Sequence, residues 1–279
     1  VNAASAAPAN NSWKTEHALL TRILTALPLI AGFLIALFLA PGPVWTGIMA
    51  LALFLAGMEW AGLARQGKAM GVLYGGALTL AGVAAALYVV DFSWAYTASL
   101  AFWLVAAAWL LRRGVTFTSM PLLLALGALV LLPTFFAIIQ LRAQSPGLLL
   151  AVVGLVVIAD SAAYFSGRRF GRHKLAPRIS PGKTWEGVAG AWLGVSVYAL
   201  LLARTWPDAL AVSWLMALSM AWALLLLSVL GDLMESFIKR QAGVKDSGTL
   251  LPGHGGVLDR IDSLTAALPA ATLFALYMQ

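Results

Sequence analysis

SFIKRQAGVKDSGTLLPGHGGVLDRID, residues 236–262, lies between two long apolar segments and carries the densest chemistry in the chain. In a protein with only 11 Asp and Glu, it holds Asp246, Asp259 and Asp262, with Asp232 and Glu235 just upstream. Lys239, Arg240, Lys245 and Arg260 are interleaved with them, and Gly253, Gly255 and Gly256 let the backbone come close to a ligand. Carboxylates hold metal ions and basic side chains hold phosphates, so the pattern points to phosphate chemistry. A charged, solvated loop would explain the basic residues alone but not the whole constellation.

Spacing sharpens this reading. A regular helix ending near residue 240 puts Asp232, Glu235, Ser236, Lys239 and Arg240 at i, i+3, i+4, i+7 and i+8, on one face. Asp259 and Asp262, three apart, share a face at the start of the last helix. Two carboxylate faces then converge across the loop.

The flanking apolar segments decide the fold class. The 279 residues are 61% hydrophobic and only 10% charged, with a mean hydropathy of +0.89, against about 25% charged in soluble proteins. An all-α polytopic integral membrane protein is expected. Apolar runs at 19–40, 44–63, 71–90, 93–111, 120–141, 147–167, 187–203, 209–231 and 263–278 predict about nine transmembrane helices. Pro28, Pro133 and Pro269 fall inside three of them and are candidate kinks. Residues 1–17 are small and polar and read as a disordered tail.

The spans divide into a scaffold of about five helices, 18–143, and a catalytic membrane region of about four, 144–279, with motif loops at 168–186 and 232–262. Small residues in the scaffold permit close helix packing, and its surface offers a lipid groove or a homodimer face. Glu59, near the end of the second span, reads equally as structural or as site-lining.

Of the 18 basic residues, all but Arg142 and Arg204 fall on one side of this arrangement. The positive-inside rule then puts the amino terminus and both motif loops in the cytoplasm. The net charge of +7 fits this topology and an affinity for anionic lipid or nucleotide. Nothing resembles a nucleic-acid module, so no nucleic-acid partner is expected. The absence of Cys removes disulfides, thiolate metal sites and cysteine nucleophiles.

Asp160 lies inside the sixth span about two turns from its cytoplasmic end, with Tyr164 and Gly167 on the same face. At that depth it faces protein or water, and it is read as lining the active cavity. In the loop that follows, Ser180 before Pro181 reads as the N-cap and N1 pair of the next helix. Gly182-Lys183-Thr184 matches the end of a P-loop, but Pro177 stands where that motif needs Gly and no strand is expected before it. Lys183 and the Arg cluster either hold a phosphate or lipid head group or are ordinary positive-inside charge.

The run Ser236-x-x-Lys239-Arg240-x4-Lys245-Asp246-x-Gly248-x-x-Leu251-x-x-His254-Gly255-Gly256-x-x-Asp259-Arg260-x-Asp262 resembles the signature of the CDP-diacylglycerol synthases, or phosphatidate cytidylyltransferases. Asp160 with Ala163 and Tyr164, and Ser180-Pro181-x-Lys183-Thr184-x-Glu186-Gly187, extend the resemblance less specifically. The resemblance implies that phosphatidate and CTP give CDP-diacylglycerol and pyrophosphate, at the bacterial inner membrane. An anionic phosphate must then attack an anionic phosphate. Two unit charges 4 Å apart repel by about 4 kcal/mol at an effective dielectric near 20, so cations are the main requirement. With a second pKa near 6 the phosphomonoester is already ionised, and no general base is needed.

Asp246, Asp259, Lys239 and Lys245 are the expected catalytic residues. Asp232, Asp246, Asp259 and Asp262 are the candidate metal ligands, more than one Mg²⁺ requires, and the resemblance implies Mg²⁺ with a second cation such as K⁺. Ser236, Arg240, Arg260, His254, Gly255, Gly256, Lys183 and Asp160 are expected to contact substrate, His254 as a donor or phosphate contact rather than a base. Two other readings are a CTP-dependent lipid kinase of the polyprenol or phytol type and a transporter. The second lacks support from any internal repeat or matched pair of broken helices.

Overall fold

Helices dominate because in hydrocarbon each backbone polar group must be paired within its own segment. The structure is a computed structural model describing residues 12–89, 91–114, 116–205 and 213–277. In chain order the helices are α1 (Ser12–Leu39), α2 (Gly42–Leu63), α3 (Lys68–Tyr88), α4 (Ser93–Ala101) and α5 (Ala108–Arg113). There follow α6 (Met120–Gln144), α7 (Pro146–Phe170), α8 (Trp185–Thr205), α9 (Trp214–Ala242) and α10 (Leu258–Tyr277). A π-helical segment, Phe102–Ala107, joins α4 to α5, so those pieces form one span, Ser93–Arg113.

Seven of these units are long and apolar enough to cross a membrane: α2, α3, the Ser93–Arg113 unit, α6, α7, α8 and α9. The other two expected spans are α1, whose apolar part Leu24–Leu39 is shorter, and α10, whose first turns carry Asp259, Arg260 and Asp262. Outward faces are apolar, as hydrocarbon requires: Leu80 and Leu87 on α3 are almost three-quarters exposed. Pro28, Pro133 and Pro269 all sit within continuous helices.

Of three expectations, two change and one falls outside the described residues. Of the polar tail expected over 1–17, residues 1–11 lie outside the described part, and from Ser12 the chain is already helical. The start expected at 209 for the eighth span also lies outside the described residues, and α9 begins at Trp214. The third concerns the loop between the sixth and seventh spans, where Ser180-Pro181 does not open a helix. Residues Lys174–Ala176 (β1) and Ser180–Thr184 (β2) form an antiparallel hairpin, with Lys174 opposite Thr184 and Ala176 opposite Ser180. Helix α8 starts after it, and Thr184 is the capping residue: its Oγ1 accepts the Gly187 N–H at 3.1 Å.

The most extensive helix pairs are α7 with α8, α2 with α3 and α9 with α10, while α6 packs against α2, α7 and α10. Two glycines set critical approaches. A Cβ on Gly187 of α8 would stand 2.9 Å from the Ala163 carbonyl oxygen of α7, and one on Gly231 of α9 would stand 2.5 Å from the Asp262 carbonyl oxygen of α10. Without side chains there, the backbones close in, α8 onto the α7 turn that follows Asp160, and α9 at Asp232 onto α10 at Asp262.

Candidate active site

The C-terminal end of α9 carries the acidic and basic face expected from its spacing, and the helix stops where its sequence allows. Gly243 takes φ +80°, its N–H bonds to the Arg240 carbonyl at 3.1 Å and the Val244 N–H bonds to the Lys239 carbonyl at 3.0 Å. This is the left-handed closure that glycine permits at a helix end. The following loop turns back at Leu251–His254, with Pro252 and then Gly253 at φ +76° in the central positions and the His254 N–H bonded to the Leu251 carbonyl at 2.9 Å. Pro followed by a positive-φ Gly is the signature of a type II turn.

Buried ion pairs anchor the site. Lys239, 7% exposed, places its Nζ 2.6 Å from Asp259 Oδ1 and 3.1 Å from Glu235 Oε1. The second Asp259 oxygen, Oδ2, accepts from the Ser247 N–H and the Gly256 N–H, each at 2.8 Å, and the Ser247 hydroxyl oxygen lies 3.0 Å from it. Asp259 thus ties α9, the loop and the start of α10 into one unit.

A second pair joins the hairpin to α9. Lys183 Nζ lies 2.5 Å from Asp232 Oδ2, and the Ser236 hydroxyl donates to Asp232 Oδ1 at 3.2 Å. This pair stands in a cavity of about 560 Å³ between α7, α8, α9 and the hairpin. The cavity is lined by Asp160, Lys183, Asp232 and Arg168 and by apolar residues such as Ala163 and Ala191. Asp160 lies close to Ser263 and within the field of Asp232, Lys183 and Arg260. Asp262, whose Oδ1 accepts the Ser263 N–H at 2.7 Å, lies within the field of Asp232, Lys239 and Asp160.

The remaining expected residues take several positions. Arg240 donates to the Val244 carbonyl at 3.1 Å and reaches the Ile179 carbonyl of the hairpin at 3.4 Å, bracing two loops. His254 Nδ1 shares a hydrogen bond of 2.9 Å with Thr25 Oγ1 of α1. Gly255 takes φ +81°, and a Cβ there would stand 2.5 Å from Asp259 Oδ2. Gly256 packs on Glu59 and Ser247. Lys245, Asp246 and Arg260 are exposed.

The four candidate metal ligands do not gather as one set. Among the described residues, no three of His, Asp or Glu converge closely enough to hold an ion by themselves. Asp259 is engaged by Lys239, Ser247 and Gly256, while Asp246 stands on the exposed side of the loop. The carboxylates within electrostatic reach of one another are Asp160, Asp232 and Asp262, on three different helices. All their donors are hard oxygens. That fits Mg²⁺, which takes one or two protein carboxylates and completes its shell with substrate phosphate and water.

Comparison with known proteins gives the family. The model of the cytidylyltransferase family matches residues 20–278. A phosphatidate cytidylyltransferase of Pseudomonas aeruginosa is 40% identical over 270 residues, covering 91% of this chain and 96% of that protein. The chain belongs to the cytidylyltransferase family. Proteins with the same name from Haemophilus influenzae and Thermotoga maritima are 51% identical over 133 residues and 44% identical over 117, each match covering less than half of either chain. Membership makes the protein a nucleotidyltransferase and accounts for the long signature in the α9–α10 region.

Two participants escaped the reading of residue types: Ser247, inside the signature run, sits between two carboxylates, and Thr184 caps α8 beside the cavity. Glu235, read from the spacing on the same face as Lys239, pairs with it one helical turn on.

Proposed function

We propose that this cytidylyltransferase transfers the CMP part of CTP to phosphatidate, giving CDP-diacylglycerol and pyrophosphate. The observation that carries the proposal is the mixed lining of the cavity, in which Asp160, Arg168, Lys183 and Asp232 stand among apolar side chains such as Ala163, Ala191 and Leu225. A substrate that joins a phosphate to acyl chains matches that mixed lining. Tyr164, Phe170 and Trp185, all more than half exposed, surround the hairpin as interfacial aromatics do, which supports a cavity mouth at head-group level. The relatives' names supply the substrate.

In this reading an oxygen of the phosphatidate phosphate attacks the α-phosphorus of CTP, and the bond from that phosphorus to the bridging β-phosphate oxygen breaks. Lys183 and Arg168 hold the attacking phosphate at the cavity mouth. Arg240, Lys245 and Arg260, on the loop and the start of α10, receive the triphosphate and the departing pyrophosphate. Lys239 acts through Asp259, fixing the loop. Asp232 and Asp262, with Asp160 beside them, would hold Mg²⁺, and K⁺ is the second cation proposed. The metal supplies charge neutralisation of the phosphates. Both motif loops face the cytoplasm, where CTP is found, and a homodimer contact falls to the scaffold helices.

The test is release of pyrophosphate from CTP by purified protein in mixed micelles. Release that requires phosphatidate supports the proposal, and release without lipid, or none with it, contradicts it.

A further inference from the structure

Helix α2 belongs to the scaffold half, yet its last turns reach both ends of the signature loop. Glu59 Oε1 accepts the Val257 N–H at 2.9 Å, and Oε2 accepts the Leu258 N–H at 2.9 Å and the Ser247 hydroxyl at 2.9 Å. Just beyond the helix, Arg65 donates to the Gln241 carbonyl at 2.8 Å. The first N–H groups and last carbonyls of any helix lack partners inside it, and those ends carry partial positive and negative charge respectively. Thus α2 sets a carboxylate on the positive end of α10 and a guanidinium on the negative end of α9. The fit around Glu59 is close: a Cβ on Gly248 would stand 2.7 Å from Oε1, and one on Gly256 would collide with Oε2.

We infer that Glu59 is a positioning residue, through which the scaffold half clamps the signature loop in its working arrangement. The inference rests on the cytidylyl-transfer reading above. Glu59 is not among the residues lining the cavity, and both of its oxygens are engaged by Ser247, Val257 and Leu258. Its influence passes through Ser247, whose hydroxyl lies within hydrogen-bond distance of both Glu59 Oε2 and Asp259 Oδ2, and from Asp259 to Lys239 and Glu235. A loop released at Val257 and Leu258 moves Asp259 and the carboxylates behind it. Errors of about 1 Å in such placement cost on the order of 10²-fold in rate.

The experiment compares the intact protein with Glu59→Gln and Glu59→Asp. An amide of the same size keeps one acceptor and turns an NH₂ group onto a backbone donor. For Glu59→Gln we expect kcat to fall roughly 10- to 100-fold with KM for CTP and phosphatidate within about threefold. Backbone amides at 256–258 should exchange hydrogen about tenfold faster, while those of α6 and α7 keep their rates. Glu59→Asp, which keeps both oxygens, should restore part of both. A folded Glu59→Gln with kcat within about twofold of the parent, or with unchanged exchange, overturns the inference. Exchange is read without substrate, so a parent protein that turns over no CTP with phosphatidate would sink the functional reading while the clamp is still decided. Should Glu59→Gln fail to fold, Arg65→Gln tests the other end. Faster exchange at 241–247 with lower kcat supports the clamp, and no change in either overturns it.

Discussion

Lys239 Nζ stands 2.6 Å from Asp259 Oδ1, an ion pair between the last turn of α9 and the first turn of α10 in which both residues are less than a tenth exposed. The pair spans the signature loop, so the loop's two ends are fixed to each other by charge. A buried pair contributes little over an apolar substitute, but breaking one by removing a partner costs up to about 3–5 kcal/mol, and less where a second partner remains, as Glu235 does for Lys239 at 3.1 Å.

Asp259→Asn should therefore reduce activity at least about 10²-fold, on the scale of losing one key electrostatic group. Asn keeps one carbonyl oxygen for the three donors that the carboxylate receives from Lys239, Ser247 N–H and Gly256 N–H, so the loop loosens as well. Rate and thermal stability of the variant in detergent check this, and near-normal turnover would refute the role given to the pair.

Lys183 is expected to act differently, because its pair with Asp232 is partly exposed at the cavity mouth. Losing a hydrogen bond to a charged group costs about 1.5–3 kcal/mol, so Lys183→Met should lower kcat/KM for phosphatidate roughly 10- to 100-fold. A kinetic series at varied surface fraction of phosphatidate measures it. An unchanged value would return Lys183 to ordinary positive-inside charge.

Gly231→Ala should destabilise the protein by about 1–3 kcal/mol through overpacking, since the added methyl meets the Asp262 carbonyl oxygen. Gly76→Ala on α3 is the control, because a Cβ there meets nothing within 4 Å. Thermal unfolding in one detergent compares the two, and equal midpoints would contradict the close α9–α10 crossing.

Topology is testable because the chain has no Cys. Thr249 in the motif loop and Ala143 at the end of α6 are both exposed. An impermeant thiol reagent outside intact cells should label Ala143→Cys and spare Thr249→Cys. The reverse pattern would invert the orientation.

The spans were legible in the sequence because run length and apolarity are set by the bilayer, whatever the helices pack against. The acidic and basic face of α9 was legible too, since Asp232, Glu235, Ser236 and Lys239 follow helical spacing. The hairpin was not. Ser180-Pro181 is as good a helix opening as a strand start, and only pairing with Lys174–Ala176 decides between them. Nor could residue types assign Glu59, whose partners lie 188 or more residues away on backbone amides and a serine hydroxyl. Asp259 shows the same limit. Its carboxylate reads as a metal ligand in the sequence, whereas the folded chain surrounds it with Lys239, Ser247 and Gly256.

The central claim, cytidylyl transfer to phosphatidate, is tested most directly by following the phosphorus atoms of CTP. Attack at the α-phosphorus puts α-label into the lipid and sends γ-label away as pyrophosphate, whereas a kinase puts γ-label into the lipid and leaves α-label in CDP. Purified protein with phosphatidate, Mg²⁺ and CTP labelled at either position should give an α-labelled lipid that carries no γ-label. Lipid carrying γ-label alone would contradict the account and place the protein among CTP-dependent lipid kinases.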